Sequence, residues 1–494
     1  MRKKFLTNLF LLLFLNLLIK LFWIFKIDIK VQDIVGPASY GFYFSILNFS
    51  FIFQILLDLG ITNYNNKNIA QNTHLLNKYF SSIIILRFLF AALYMLVIMG
   101  VGLMIGYNTQ QLYLLFVIGV NQFLLSLILY LRSNISALLL FKTDSIISVL
   151  DRFFMILICS VLIWGNLNLG EFAIEWFVYA QTASYLLTAG IAWFVVVRKA
   201  KFLKFNWNLS FFMLILKQSL PYALLILLMG LYNRADSVFI ERMLGEEGEL
   251  QSGIYASAFR LLDAANNMSG FLFAGLLLPI FARLLKQKED VSSMVKLSFT
   301  LLFIASVSVA VTSVFYGKDI MQLLYHQHSK ESLSDYLMRI QQTSQIFTVL
   351  MFSYISISTT YIFGTLLTAN GSLKSLNRMA FIGVIISILL NVFLIPEIKA
   401  MGSAYASLMA QTFTAIAQVW LAYKIVGFRV EKSYLLHLLF FIISVILINI
   451  LFSGFDLDWK YKLMLVVLSV TLSAFVLRLL NLKAFFAILK NEKG

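Results

Sequence analysis

The sequence is short of nearly everything a soluble enzyme uses. Cysteine occurs once, at Cys159, which excludes an intrachain disulfide and any cysteine-built metal site. Histidine occurs four times, and no metal site is expected even where His326 and His328 come close in sequence. Charged residues make up 13% of the chain, too few to cover the surface of a soluble protein of this length. No phosphate-binding glycine loop, nucleophile elbow or zinc motif is present, and no long connection carries paired catalytic carboxylates. These absences leave little room for an enzyme.

What the chain has instead is apolar length. Of 494 residues, 61% are hydrophobic. A membrane-crossing helix needs about 20 mostly apolar residues. About fourteen such stretches follow one another, near 5–25, 40–61, 80–105, 112–131, 146–164, 172–196, 211–236, 253–281, 295–315, 340–367, 380–395, 404–423, 434–451 and 461–480. The first follows Arg2, Lys3 and Lys4 and is too long for the core of a cleaved signal peptide, so it reads as a span. The expected fold is an all-α integral membrane protein.

The formal net charge of +16 fits that reading better than nucleic-acid binding. Basic residues gather after every second span: Arg132 and Lys142, Arg198 and Lys199, Arg283, Lys286 and Lys288, Lys374 and Arg378. The intervening connections are richer in acid, as at Glu171 and Glu175 or Glu246, Glu247 and Glu249. Cytoplasmic loops collect Lys and Arg, so both termini are expected in the cytoplasm.

A pattern recurs about 210 residues apart, in the manner of a parallel transporter repeat. Lys26-Ile27-Asp28, Gly36 and Gly41-Phe42-Tyr43 are answered by Arg234-Ala235-Asp236, Gly245 and Gly253-Ile254-Tyr255. Two six-helix bundles are therefore expected, 1–205 and 206–430, related by a pseudo-twofold axis along the membrane normal. Residues 431–494 add two helices and a cytoplasmic tail.

At these positions the chain resembles a known family. Asp33-Ile34-Val35-Gly36-Pro37-Ala38-Ser39-Tyr40-Gly41 with Asp58-Leu59-Gly60, Ser219-Leu220-Pro221-Tyr222, and Pro279-Ile280-Phe281-Ala282-Arg283 are similar to bacterial polysaccharide-biosynthesis flippases of the Wzx type. Those flippases belong to the multidrug/oligosaccharidyl-lipid/polysaccharide (MOP) exporter superfamily. The resemblance implies a bacterial inner-membrane transporter for undecaprenyl-diphosphate-linked oligosaccharide, such as an O-antigen, capsule or exopolysaccharide unit. It implies alternating access coupled to H+ or Na+, with no other cofactor. Membrane lipids, and a polysaccharide polymerase or other assembly proteins, would be its partners. Drug export, lipid II transport and glycan polymerisation stay open as alternatives.

Ionisable side chains within spans are costly and tend to face a cavity or a partner. Arg234, Arg260, Arg87, Arg152 and Lys20 are the candidates for a substrate cavity, because guanidinium groups pair bidentately with phosphate oxygens. Asp236, Asp263, Asp151 and Asp144 are the candidates for ion coupling or charge balance. Lys26, Asp28, Asp58, Gly41, Tyr43, Gly253, Tyr255, Pro221 and Pro279 are assigned to gates or to the repeat. Each charge also has a plainer reading: neutralisation by a neighbour, or snorkelling to the interface.

Overall fold

The computed structural model describes residues 15–16, 18–62, 69, 75–138, 140–165, 171–199, 209–269, 275–428 and 431–480. The start of the first expected span and the C-terminal tail lie outside the described residues, as do Lys201, Lys204 and Arg429. Among the described residues there is no β-strand.

A π-helical turn, Trp23–Asp28, leads into α1 (Ile29–Val35). Then come α2 (Pro37–Ile52), α3 (Leu75–Met104), α4 (Thr109–Ala137), α5 (Phe141–Trp164), α6 (Ile174–Val197), α7 (Leu209–Arg234) and α8 (Asp236–Met243). They are followed by α9 (Gly248–Ser269), α10 (Gly275–Gln287), α11 (Ser292–Leu324), α12 (Leu333–Ala369), α13 (Leu373–Ile398), α14 (Ala400–Val426), α15 (Lys432–Ser453) and α16 (Trp459–Val476).

Nine of the described helices are long and apolar enough to cross a membrane, and the bent pair of Leu220–Arg234 in α7 with α8, at 49°, makes ten if it is counted as one span. The protein is an all-α integral membrane protein. Large apolar side chains such as Leu96, Met104, Phe393, Ile416 and Val476 lie exposed on these helices, where only lipid could cover them.

Several expected boundaries need correction. The second span does not run to residue 61 as one helix: α2 ends at Ile52 and a 3₁₀ turn, Gln54–Leu57, follows. Leu59 and Gly60 then take φ of 44° and 83°, a conformation that ends a right-handed helix. The eighth span is described over α9, to Ser269, and α10, from Gly275; residues 270–274 lie outside the described residues. The connection expected across 316–339 shrinks to the residues between Leu324 and Leu333, because α11 and α12 run far past their apolar centres. With 37 residues, α12 is about 55 Å long.

The chain divides into two compact units, Met1–Gly253 with Gln327–Lys330, and Ile254–His326 with Glu331–Gly494. In the first unit α2 is the central helix. Every residue from Tyr40 to Ser50 is buried, and α2 packs on α4, α7 and α8. In the second unit α12 packs on α11 and α14, and α15 and α16 lean on α11. Phe441, Val445, Val466 and Val470 join Val307 and Val311 in that last contact. Lipid tails are as apolar as leucine, so helix association here depends on close packing and buried hydrogen bonds rather than on escape from water. The α13–α14 pair illustrates this: a methyl group on Gly402 would overlap the Leu394 carbonyl, and Asn391 is bonded to both Ser387 and Ser403.

Candidate functional site

The repeat residues of the first unit meet one another. Gly36, at φ 82°, ends α1 and lets Pro37 open α2. Four residues on, Gly41 faces the first turns of α9. A methyl group there would overlap the Glu249 carbonyl and the Gly253 amide, and one on Gly253 would overlap the Pro37 carbonyl. Gln32 Nε2 donates to the Gly253 carbonyl at 3.2 Å, and Ser252 Oγ donates to the Gly41 carbonyl at 3.2 Å. The two glycines of the pattern are thus one contact, possible only without side chains.

Just before α1 the backbone widens into the π turn that carries Lys26 and Asp28. Such turns often mark functional sites. Lys26 is exposed, whereas Asp28 is only 3% exposed. The Tyr40 hydroxyl lies 3.0 Å from each Asp28 carboxylate oxygen and donates to it. Tyr43, one turn along, accepts a bond from Gln181 Nε2 at 2.8 Å. Its ring meets Phe177 edge-on, and Phe177 stacks on Trp23. The Arg152 guanidinium lies 5.6 Å from the centre of the Trp23 ring. Asp151 is buried and 3.8 Å from the Arg152 guanidinium. Asn16 donates to Ser148 of α5 at 2.8 Å, and Lys20, one turn further, is exposed. The structure therefore gathers Asp28, Tyr40, Tyr43, Arg152 and Asp151 around the π turn and α5.

Arg87 and Asp58 form a separate group. Arg87 is 1% exposed and ion-paired to Asp58. It also donates to Thr62, to Ser126 Oγ at 2.7 Å and to the Leu57 carbonyl at 3.3 Å, and its guanidinium lies 4.9 Å from the centre of the Tyr130 ring. Asp58 in turn accepts from the Thr62 amide at 3.1 Å. Asp144 pairs with Arg132 at 2.8 Å. Arg234 donates to Asn48 at 3.4 Å and stands over Phe51, while Asp236 is buried at the start of α8.

In the second unit Arg260 and Asp263 are half-buried on α9, and the Asn267 amide donates to the Asp263 carbonyl at 2.8 Å. Tyr255 is buried and stacks on Phe259. Pro221 is exposed inside α7, about three turns from its start. Pro279 lies within α10. Among the described residues no three His, Cys, Asp or Glu side chains gather as a metal site would need.

One cluster escaped the sequence reading. Glu241 and Arg242, at the end of α8, are ion-paired, and Gln111 of α4 donates to Glu241 at 2.7 Å. The Arg242 guanidinium lies 4.8 Å from the centre of the Tyr107 ring and donates to the Gly106 carbonyl at 3.2 Å. Tyr107 sits in the α3–α4 connection and Glu249 in the first turn of α9, ahead of the expected span from 253, and burial raises the pKa of both. Glu241 raises each further, and Arg242 pulls each back. Only an adjacent Glu-Arg pair in a short polar stretch signalled this cluster.

A family model described as "Polysaccharide biosynthesis protein" matches residues 5–285. No curated protein sequence matches the chain. Among solved structures, the lipid II flippase MurJ in an inward closed conformation is similar, with a TM-score of 0.66, 13% identity, and coverage of 98% of this chain and 99% of that one. An inward-facing multidrug resistance MATE family transporter of the MOP superfamily gives 0.62 and 14%, covering 81% and 93%. A Vibrio cholerae MATE transporter gives 0.56 and 15%, covering 88% and 98%. At these identities the likeness establishes the fold, which is that of MOP superfamily transporters.

Proposed function

Because the chain belongs to the polysaccharide biosynthesis protein family, we propose that it is a flippase, not an enzyme, for undecaprenyl-diphosphate-linked oligosaccharide. The observation that carries this reading is the set of ionisable groups gathered around the π turn and α5 of an otherwise apolar bundle: Lys20, Asp28, Asp151 and Arg152. Groups of this kind are rare in lipid and mark a wet path or a charged cargo. Lys20, Arg152 and Arg234 of the first unit are assigned to the diphosphate, and Arg260 of the second unit is assigned separately to acidic sugar. Arg87, whose two terminal nitrogens donate to Asp58, Thr62, Ser126 and Leu57, braces the protein instead. Asp28, buried against the Tyr40 hydroxyl beside the π turn, is assigned to coupling with H+ or Na+. The protein sits in the bacterial inner membrane with both termini in the cytoplasm, and delivers its cargo to a polymerase or other assembly proteins on the far side.

The test is reconstitution in liposomes with labelled lipid-linked oligosaccharide in one leaflet. The labelled lipid should cross when the protein and an H+ or Na+ gradient are present. Arg260→Ala should cut the rate more than Lys286→Ala at matched protein levels. No transfer under either gradient, with transfer of a drug-like cation instead, sinks the proposal. The MurJ likeness over 98% of the chain favours lipid II as the second cargo to try in the same assay.

A further inference from the structure

The end of α8 meets the α3–α4 connection through a cluster of polar groups and the Tyr107 ring. Glu241 is 6% exposed and takes bonds from Arg242 and from Gln111 Nε2. Arg242 reaches the Gly106 carbonyl and covers Tyr107. Gln111 is itself fixed, since its amide and side chain form a reciprocal cap with Asn108 at 2.9 and 3.0 Å. So the α4 side of the contact is rigid. The α8 side starts from an anchor on α2, where Asn48 donates to Ser237 at 3.1 Å; it is bent 49° from α7, and Gly245, at φ 55°, follows its far end.

A sunken ion pair is a special kind of contact. Its desolvation cost nearly cancels its Coulomb gain, so it contributes little net docking energy. Losing one partner is costly, but withdrawing both into water together is not. Such a contact has two states of similar free energy, which suits something that must open. The Arg242 side chain is 27% exposed, so water already reaches one partner.

We propose that Glu241 and Arg242 form a clasp. Closed, it binds the end of α8 to the α3–α4 connection. Open, it frees that end, from Glu241 to Gly245, while Ser237 stays on α2. The clasp gates a local motion and does not depend on which molecule is carried.

Hydrogen exchange followed by mass spectrometry on the full chain in lipid nanodiscs tests this without any substrate. In Glu241→Gln with Arg242→Gln, the amides of 241–245 and 105–111 should exchange roughly tenfold faster, together, while α13 and α14 keep their protection. Gln111→Leu removes one bond and keeps the ion pair. It should give a smaller rise in the same two segments, and it serves where the double variant fails to fold. Unchanged exchange in both segments overturns the clasp, as does faster exchange in 241–245 with none in 105–111. Failure here leaves the transport assay untouched, and the reverse also holds.

Discussion

Gly41 and Gly253 touch backbone to backbone, with no room between them for a single methyl group. Each belongs to one copy of the sequence repeat, and two side-chain bonds, from Gln32 and Ser252, flank the contact. In lipid, small residues at such crossings let helices gain dispersion energy and short polar bonds at once.

Replacing either glycine should therefore push α2 and α9 apart. Gly41→Ala or Gly253→Ala is expected to cost about 1–3 kcal/mol, the usual cost of overpacking. A thermal shift in detergent measures this. Gly190→Ala, which meets open space, should leave the midpoint unchanged. Equal midpoints for all three variants would remove the contact from the argument.

The Arg87–Asp58 pair should behave as a brace. Arg87 is 1% exposed, so Asp58→Ala leaves a buried guanidinium short of its counter-charge. Breaking such a pair costs about 3–5 kcal/mol. A double-mutant cycle with Arg87→Ala should show strong coupling in unfolding experiments. Independent effects of the two changes would mean the pair does not hold the Gln54–Leu57 turn against α3.

Tyr40→Phe tests the Asp28 hydroxyl bond. Removing the donor while the carboxylate stays buried costs about 1–3 kcal/mol. Transport should slow, and its dependence on the driving ion should change. Gln181→Leu, which removes only the bond to Tyr43, should leave that ion dependence intact. If both variants keep the wild-type ion profile, Asp28 is structural.

Glu249 gives a pH prediction. Burial raises its pKa above the ordinary 4.5. A carboxyl raised in the folded state stabilises fully below its unfolded pKa, and the benefit is lost as pH rises through the folded value. Glu249→Gln should thus flatten the fall in stability on going from acid toward neutral pH. Thermal midpoints of both proteins across that range are the measurement. An unchanged slope would show that Glu249 is well solvated.

Composition and apolar run length already determined that the chain is an all-α membrane protein, because continuous runs of about 20 apolar residues fit a spanning helix, which satisfies its own backbone in lipid, and not the short alternating strands of a barrel. Order along the chain also made the repeat legible, down to Gly41 and Gly253. Hydropathy could not find the π turn at Trp23–Asp28, the break after Ile52 or the bend at Ala235, since each is a change in backbone geometry inside an apolar stretch. Nor could it choose partners. Arg87 met Asp58, Asp144 met Arg132 and Asp28 met Tyr40 only once neighbouring elements were folded against one another. Charge in lipid must be answered by a nearby group, and nearness is a property of the folded chain alone.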